Sequence, residues 1–171
     1  MVYVTEDRKS QGLFLQMPVT RNISAAIIDR ITAHFLVNHQ KEVRMAEDFV
    51  GRLHIKTPGV RQLVVNLSGG NQQKVMLGKW LATHPKVVFM DEPTRGIDVG
   101  AKAELHSLLR DLSKQGIGVV LISSELPEII GMCDRVLVMR EGRINGELTG
   151  DSITEENIMR YAAFRHDSLA V

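Results

Sequence analysis

The sequence has little of what marks several classes of protein. Its single cysteine, Cys133, cannot form an internal disulfide, which fits a reducing compartment. Cys133 lies between apolar and polar neighbours, and this favours a packing role over a reactive one. The longest apolar runs are short, such as "VVLI" at residues 119–122, and none approaches the roughly 20 residues that span a bilayer. The N-terminus has no basic-then-apolar signal pattern. Any membrane association is therefore expected to come through a partner.

Charge of one sign is also scarce. The net charge is +1, with no basic block beyond Arg8-Lys9, so we expect no nucleic-acid partner. His34 and His39 do not share a helical face and the other histidines are scattered, so the histidines predict no metal site. With 44% apolar and 24% charged residues in 171, the chain is predicted to form one globular domain, with two very small ones as the alternative.

A lysine-bearing phosphate loop of the form G-x-x-x-x-G-K-[ST] is absent from the sequence. The stretch "NLSGGNQQKV" (residues 66–75) nevertheless has features of a phosphate site. Ser68 offers a hydroxyl, while Gly69 and Gly70 let backbone N–H groups approach a ligand closely. The following helix directs its positive end to the same place. A serine-capped helix after a flexible turn explains the stretch equally well in isolation.

The remaining pattern alternates strands and helices. "VYV", "KVVFMD", "GVVLIS" and "RVLVM" read as strands, and "INGEL" completes a hairpin. Helices are predicted over 21–36, 40–53, 72–84, 98–116 and 125–132, the fourth with Asp98 as its cap and Gly116 at its end. A final helix follows Ser152 and Glu155, which have capping-box spacing. The alternation predicts an α/β fold with crossover helices.

Two acids follow the apolar strand "KVVFMD". Ligand sites in open α/β sheets lie at the carboxyl ends of strands, so Asp91 is placed to hold Mg²⁺ through water. Glu92 is placed to orient and polarise an attacking water. Acids also follow buried strands simply to return the chain to solvent, and the motif alone leaves both interpretations open.

The motifs in combination resemble the ATP-binding-cassette (ABC) transporter family. "LSGGNQQKV" is similar to the family's signature, "VVFMDEPT" to its Walker B strand, "GIDVGAK" to its D-loop and "ISSE" to its switch loop. More narrowly, "YVTEDRKSQGL", "DEPTRGIDVGAK", "SSELPEI" and "CDRVLVMREGRI" look like the second cassette of bacterial monosaccharide importers. The resemblance implies a partial P-loop NTPase cassette that lacks the phosphate-loop strand and helix and carries an inserted helical subdomain.

The resemblance assigns expected roles to further residues. Ser68, Gly69, Gly70 and Gln72 would bind nucleotide held by another cassette. Gly96, Ile97 and Asp98 would form the D-loop. Glu6 stands where the family has its Q-loop glutamine, and Ser124 stands where it has the switch histidine. Serine has no titratable two-nitrogen ring, so the base role of Glu92 in its own site is expected to be weakened.

The resemblance also implies cofactors, partners and boundaries. ATP and Mg²⁺ are the expected cofactors. The expected partners are a second cassette, a membrane permease and, indirectly, a periplasmic sugar-binding protein, at the cytoplasmic face of the bacterial inner membrane. We expect the chain to be the C-terminal part of a longer ATPase and inactive alone. The expected segments are the Q-loop region, the helical subdomain that meets the permease, the motif-bearing core and the C-terminal helix, at residues 1–17, 18–65, 66–150 and 151–171.

Two alternatives follow from the same sequence. The chain could be a catalytically silent fragment that only binds, in which case the purified protein shows no ATPase activity above background. It could be an ABC ATPase outside transport, which predicts coiled-coil or basic insertions that the sequence lacks. Separately, we expect the isolated chain to be poorly stable or to aggregate unless a partner covers it, because a sheet without its phosphate-loop strand exposes edges and apolar faces.

Overall fold

The computed structural model describes residues 1–33 and 36–164. The chain divides into two compact units, Met1–Ile122 and the part from Ser123 onward. The strands and helices of the first unit are, in chain order, β1 (Val2–Val4), α1 (Val19–Ser24), α2 (Ile28–Ile31), β2 (Thr32–Ala33), β3 (Leu36–Val37), α3 (His39–Arg52), α4 (Gly69–Leu81), β4 (Val87–Asp91), α5 (Val99–Lys114) and β5 (Gly118–Ile122).

A three-stranded parallel sheet, in the order β1-β4-β5, lies in the first unit. One face is buried, because Val4, Val88 and Met90 have no exposed surface. Helix α4 contacts β1, and α5, the crossover between β4 and β5, contacts β5 and α4. The Asp98 side chain accepts a hydrogen bond from the Ala101 N–H at 2.9 Å, which confirms the predicted cap of α5. The α/β fold with crossover connections is therefore confirmed.

The helical part of the first unit differs from its prediction. The single helix predicted over residues 21–36 is wrong: α1 ends at Ser24, a 3₁₀ turn covers Ala25–Ile27, and α2 ends at Ile31. Thr32 has extended backbone, and its hydroxyl donates to the Ile28 carbonyl at 2.7 Å. A β-branched residue with a side-chain bond to the backbone competes with helix continuation, and the chain instead forms the β2–β3 pair. Residues 34 and 35 of the predicted helix lie outside the described part.

The second unit is a small α/β unit built on a hairpin. Its elements are α6 (Leu126–Met132), β6 (Arg135–Arg140), β7 (Arg143–Thr149) and α7 (Glu155–Ala163). The antiparallel pairing of β6 and β7 confirms the predicted hairpin. Cys133 packs against a buried cluster centred on Val136, Val138 and Leu148. Burial raises the pKa of its thiol, as fits the predicted packing role.

The final helix is present, but its predicted cap is wrong. The Thr154 hydroxyl, not Ser152, accepts a hydrogen bond from the Asn157 N–H at the start of α7. Ser152 instead forms a capping box with Thr149 around a preceding 3₁₀ turn. Within the part of the chain that the structure describes, no helix is both long and apolar enough to cross a membrane.

Candidate functional site

In the turn before α4, the backbone of Ser68 takes part in the start of the helix but its side chain does not. Ser68 is extended (φ −61°, ψ 157°), and its carbonyl accepts a hydrogen bond from the Gln72 N–H at 2.9 Å. Its exposed side chain does not cap the helix. The hydroxyl oxygen instead accepts a hydrogen bond from Nδ2 of Asn71 at 2.8 Å. Because a helix start carries orphan amide N–H groups and partial positive charge, this turn can hold an anion with its amides and one hydroxyl.

The two glycines of the turn also lie where a side chain would collide. A Cβ atom on Gly70 would lie 2.5 Å from Cβ of Ala101 in α5. A Cβ atom on Gly69 would lie 3.0 Å from an Arg8 guanidinium nitrogen and 3.2 Å from the Gly96 carbonyl. The sequence predicts that these glycines let a ligand approach the backbone closely. In the structure they also allow the first turn of α4 to pack closely against neighbouring segments.

The loop between β4 and α5 is held by the segment that follows β1. The Arg8 guanidinium donates to two successive carbonyls, of Arg95 at 2.9 Å and Gly96 at 3.1 Å. Glu6 forms an ion pair with Arg95. Gly96 has φ +67°, a left-handed conformation that glycine tolerates. The Glu6 and Gly96 positions singled out from the sequence are therefore brought together, with Arg8 as the residue that joins their segments.

Asp91 and Glu92 lie at the carboxyl end of β4, as predicted, and both are half-buried. The Tyr3 hydroxyl donates a hydrogen bond to the Asp91 carboxylate, and this bond raises the pKa of Tyr3. Glu92 has φ +42°, which is uncommon for a residue other than glycine and is found at functional sites. Its N–H donates to the Ile122 carbonyl of β5 at 2.8 Å. The two carboxylates thus project from one fixed strand end.

A cavity of about 170 Å³ adjoins the start of α4. It is lined by Lys56, Ser68, Gly70, Asn71, Asp98, Gly100, Ala101 and Glu104. The Glu104 carboxylate accepts hydrogen bonds from Lys56 Nζ at 2.8 Å and Lys74 Nζ at 2.7 Å. These two ammonium groups lower the pKa of Glu104 to about 2. Glu104 therefore stays ionised at neutral pH, and the cavity has a fixed charged wall.

The position of Gln72 changes its expected role. Its side chain is 6% exposed, and its amide donates to the carbonyls of Val64 at 3.1 Å and Leu67 at 3.2 Å. It stabilises the preceding turn from inside and is not positioned to reach a nucleotide. Asn71, which the sequence reading left out, occupies the partly exposed position beside Ser68. Ser124 lies in the second unit, in the loop before α6.

The family of the chain follows from comparison of its sequence. Residues 1–95, more than half of the chain, match the ABC transporter family. The chain belongs to this family.

Several curated ABC proteins are similar over 95% of the chain. A ribose import ATP-binding protein of Rhizobium meliloti is 56% identical over 163 residues. A xylose import ATP-binding protein of Geobacillus kaustophilus is 50% identical over 162 residues. The chain spans about a third of the length of each of these relatives (32%).

Solved ABC structures have the same fold. A nucleotide-free ATP-binding cassette superposes with a TM-score of 0.75 at 24% identity, covering 92% of this chain and 64% of that one. A dimeric ATP-binding cassette bound to ADP and phosphate gives a TM-score of 0.69 at 18% identity, covering 86% and 61%. The predicted fold, a partial ABC cassette, is therefore confirmed.

The fit of Mg²⁺ to this ABC chain depends on Asp91. Among residues 1–33 and 36–164, no three His, Cys, Asp or Glu side chains are grouped as ligands of one metal ion. Mg²⁺ does not need such a group, since it commonly binds one or two carboxylates together with water and substrate phosphates. One oxygen of the Asp91 carboxylate is hydrogen-bonded to Tyr3. This carboxylate fits the need of Mg²⁺ for one protein ligand.

Sequence reasoning missed three residues of this site, and for different reasons. Asn71 had a usable signal, because residues three apart at a helix start lie on one face, next to each other. Arg8 had none, since it meets residues 87 and 88 positions away in the sequence. Glu104 likewise meets Lys56 only through the packing of distant segments.

Proposed function

We propose that this chain is an ATP-binding, energy-coupling component of an importer of monosaccharides. Relatives named for the import of ribose or xylose, or for the transport of L-arabinose, are 50–56% identical to it. In this proposal the chain supplies its signature turn to ATP bound on a second cassette. The observation that carries the proposal is the start of α4, where Ser68 does not cap its own helix.

The γ-phosphate is the proposed ligand of this turn. The Ser68 hydroxyl and the amides of Gly69 and Gly70 would donate hydrogen bonds to its oxygens, and the partial positive charge of α4 would add to them. Gly96, Ile97 and Asp98 would lie against the partner cassette, held in place by Arg8. Binding of the γ-phosphate would close the two cassettes, and its loss would release them.

The chain's own acids have roles in this proposal as well. Asp91 would hold Mg²⁺ through water, and the ion, when bound, neutralises charge on phosphate oxygens. Glu92 would polarise a water, with its position fixed by the bond from its N–H to Ile122. Glu6 would report on the site through its ion pair with Arg95. Ser124 would stand at the switch position without a titratable ring.

A membrane permease is the proposed second partner, at the cytoplasmic face of the bacterial inner membrane, with a periplasmic sugar-binding protein acting indirectly. A cavity of about 280 Å³ in the helical part would receive a permease helix. Apolar Ile27, Ile31, Met45 and Phe49 line it together with charged side chains. Amphipathic helices lie in grooves of this kind.

A hybrid protein tests the proposal. In it, this chain replaces the matching third of the Rhizobium meliloti ribose import ATP-binding protein. We expect the hybrid to support ribose uptake and ATP hydrolysis, and Ser68→Arg to abolish both because the side chain fills the phosphate position. Asn66→Arg, an exposed change two residues earlier, is the matched control. If the Ser68→Arg hybrid retained full uptake and hydrolysis, the proposal would be wrong.

A second candidate is a binding module without turnover, and one observation favours it. The 171 residues contain no G-x-x-x-x-G-K-[ST] sequence, which is the motif that cradles the β- and γ-phosphates. Under this candidate the isolated chain binds a partner cassette but hydrolyses no ATP. A hybrid that shows ribose-stimulated hydrolysis, lost on Ser68→Arg, would favour the first proposal.

A further inference from the structure

The orientation of the Ser68 hydroxyl is set by a relay of hydrogen bonds. The relay runs from the Lys56 backbone N–H to Oδ1 of Asn71 (2.8 Å), and from Nδ2 of Asn71 to Oγ of Ser68 (2.8 Å). We propose that Asn71 is a positioning residue that directs the hydroxyl proton of Ser68 outward, toward a phosphate oxygen. The identity of that phosphate rests on the proposed function, while the orientation of the proton does not.

The first step fixes the amide of Asn71. The two ends of an asparagine amide have nearly the same shape, so neighbouring groups decide which end is which. A backbone N–H can only donate, and the one of Lys56 faces the Asn71 side chain. The end near Lys56 is therefore the carbonyl oxygen. The amide nitrogen, with its two protons, is left facing Ser68.

The second step fixes the hydroxyl of Ser68. A serine hydroxyl has one proton and two lone pairs. Because the Asn71 nitrogen only donates, the hydroxyl oxygen accepts from it and the hydroxyl proton must point elsewhere. Serines before helices commonly accept a hydrogen bond from a backbone N–H of the first turn, but Ser68 does not. The side chain is exposed, so the proton is available to an acceptor outside the chain.

The relay has a rigid base. Lys56 starts the relay, and its ammonium group donates a hydrogen bond to the Glu104 carboxylate at 2.8 Å. The same carboxylate accepts from Lys74 at 2.7 Å, and Lys74 also donates to the carbonyl of His54 at 3.0 Å. Lys74 is only 3% exposed. The segment that carries the Lys56 N–H is thus attached to both α4 and α5, which keeps the donor facing Asn71.

The relay explains why an amide suits position 71. An aspartate would keep the shape and could still accept from Lys56. Its second oxygen would accept the Ser68 proton, however, so the hydroxyl would present lone pairs to a ligand. The added negative charge would also repel phosphate. The Asn71→Asp variant is therefore nearly isosteric and reverses the direction of the Ser68 hydrogen bond.

Nuclear magnetic resonance of the 171-residue chain, at concentrations below those at which it self-associates, tests the orientation. We expect the Asn71 side-chain amide proton that faces Ser68 to exchange with water about tenfold more slowly than the side-chain amide protons of exposed Asn66, because a hydrogen-bonded proton must first be released. Ser68→Ala should remove this protection and leave the Lys56 N–H protected. Equal exchange at Asn71 and Asn66, or protection that survives Ser68→Ala, would overturn the relay.

The hybrid protein tests the functional consequence. We expect both Ser68→Ala and Asn71→Asp to lower its kcat/KM for ATP by about tenfold or more, since each removes a charge-assisted hydrogen bond. Asn66→Asp, which adds the same charge at an exposed position, should change it less than about twofold. Asn71→Ala should lower it only when Ser68 is present, because Asn71 acts through the hydroxyl.

The outcomes distinguish a failure of the proposed function from a failure of the positioning role of Asn71. If Ser68→Ala is harmless in the hybrid, the proposed function fails, and the exchange rates alone decide the orientation. If Ser68→Ala is harmful while Asn71→Asp is harmless, the positioning role is wrong and the proposed function stands. An Asn71→Ala effect of equal size with and without Ser68 would also contradict the positioning role, since it would show a general effect on folding.

Discussion

At Gly70 a missing side chain serves helix packing as well as access to a ligand. A Cβ atom there would lie 2.5 Å from Ala101. We expect Gly70→Ala to destabilise the protein by about 1–3 kcal/mol, because α4 and α5 must move apart.

Gly51 is the matched control, since it lies in α3 with nothing within 4 Å of the added atom. Gly51→Ala should stabilise by about 0.5–1 kcal/mol. Urea unfolding of both variants measures the difference, and equal effects would contradict the packing account.

Tyr3 reports on the proposed magnesium ligand. The hydrogen bond to Asp91, with its negative charge, raises the pKa of Tyr3 above the usual 10.0. Asp91→Asn removes the charge, so we expect the tyrosine pKa to fall. A pKa that is raised in the folded state contributes stability below the unfolded pKa, and this stability is lost as the pH rises through the folded pKa. We therefore expect the wild-type protein to lose more stability in alkali than Asp91→Asn. Ultraviolet titration of tyrosinate measures the pKa, with Tyr161, the other tyrosine, as internal control. An unchanged Tyr3 pKa would contradict the contact.

At the scale of elements, one carboxylate joins the segment after α3 to both α4 and α5. Lys56 and Lys74 lower the pKa of Glu104 to about 2 from 4.5. A lowered pKa gives stability that is present above the unfolded value and lost as the pH falls toward the folded one. We therefore expect the melting temperature to fall between about pH 4.5 and pH 2, and to fall less in Glu104→Gln. Melting curves over this range test it. Equal pH dependence in the two proteins would show that the ion pairs are not formed.

Some helices and strands could be predicted from the sequence, and others could not. The apolar run of β4 and the capped, leucine-lined α5 were predictable because local spacing and one cap determine them. The break after α1 was not, because the pattern of apolar residues continues through it. In the candidate site, the motifs predict roles for Ser68, Asp91 and Glu92, and these roles stay predictions. The inward turn of Gln72 and the reach of Arg8 were not predictable, because both depend on contacts with other segments.

At the scale of the whole molecule, the parallel sheet has one face that is only partly covered. Tyr3, Phe89 and Val120 are register neighbours on that face. Tyr3 is 51%, Val120 39% and Ile122 44% exposed. Exposed apolar strands favour association, so we expect the purified chain to self-associate as its concentration rises.

The double variant Val120→Thr, Ile122→Thr should reduce this self-association. Ser107→Thr on the exposed side of α5 is the control. Sedimentation measures the mass, and a concentration-independent monomer with a sharp melt would contradict the expectation.

The central claim is that Ser68 lies against the γ-phosphate of ATP held by another cassette. Vanadate trapped with ADP takes the place of that phosphate, and illumination then cuts the backbone beside it. In the hybrid protein with Mg²⁺, ATP and vanadate, we predict a light-dependent cut at Ser68. The cut should disappear when the phosphate-loop lysine of the partner cassette is replaced. Absence of a cut at Ser68, or a cut that persists without that lysine, would contradict the account.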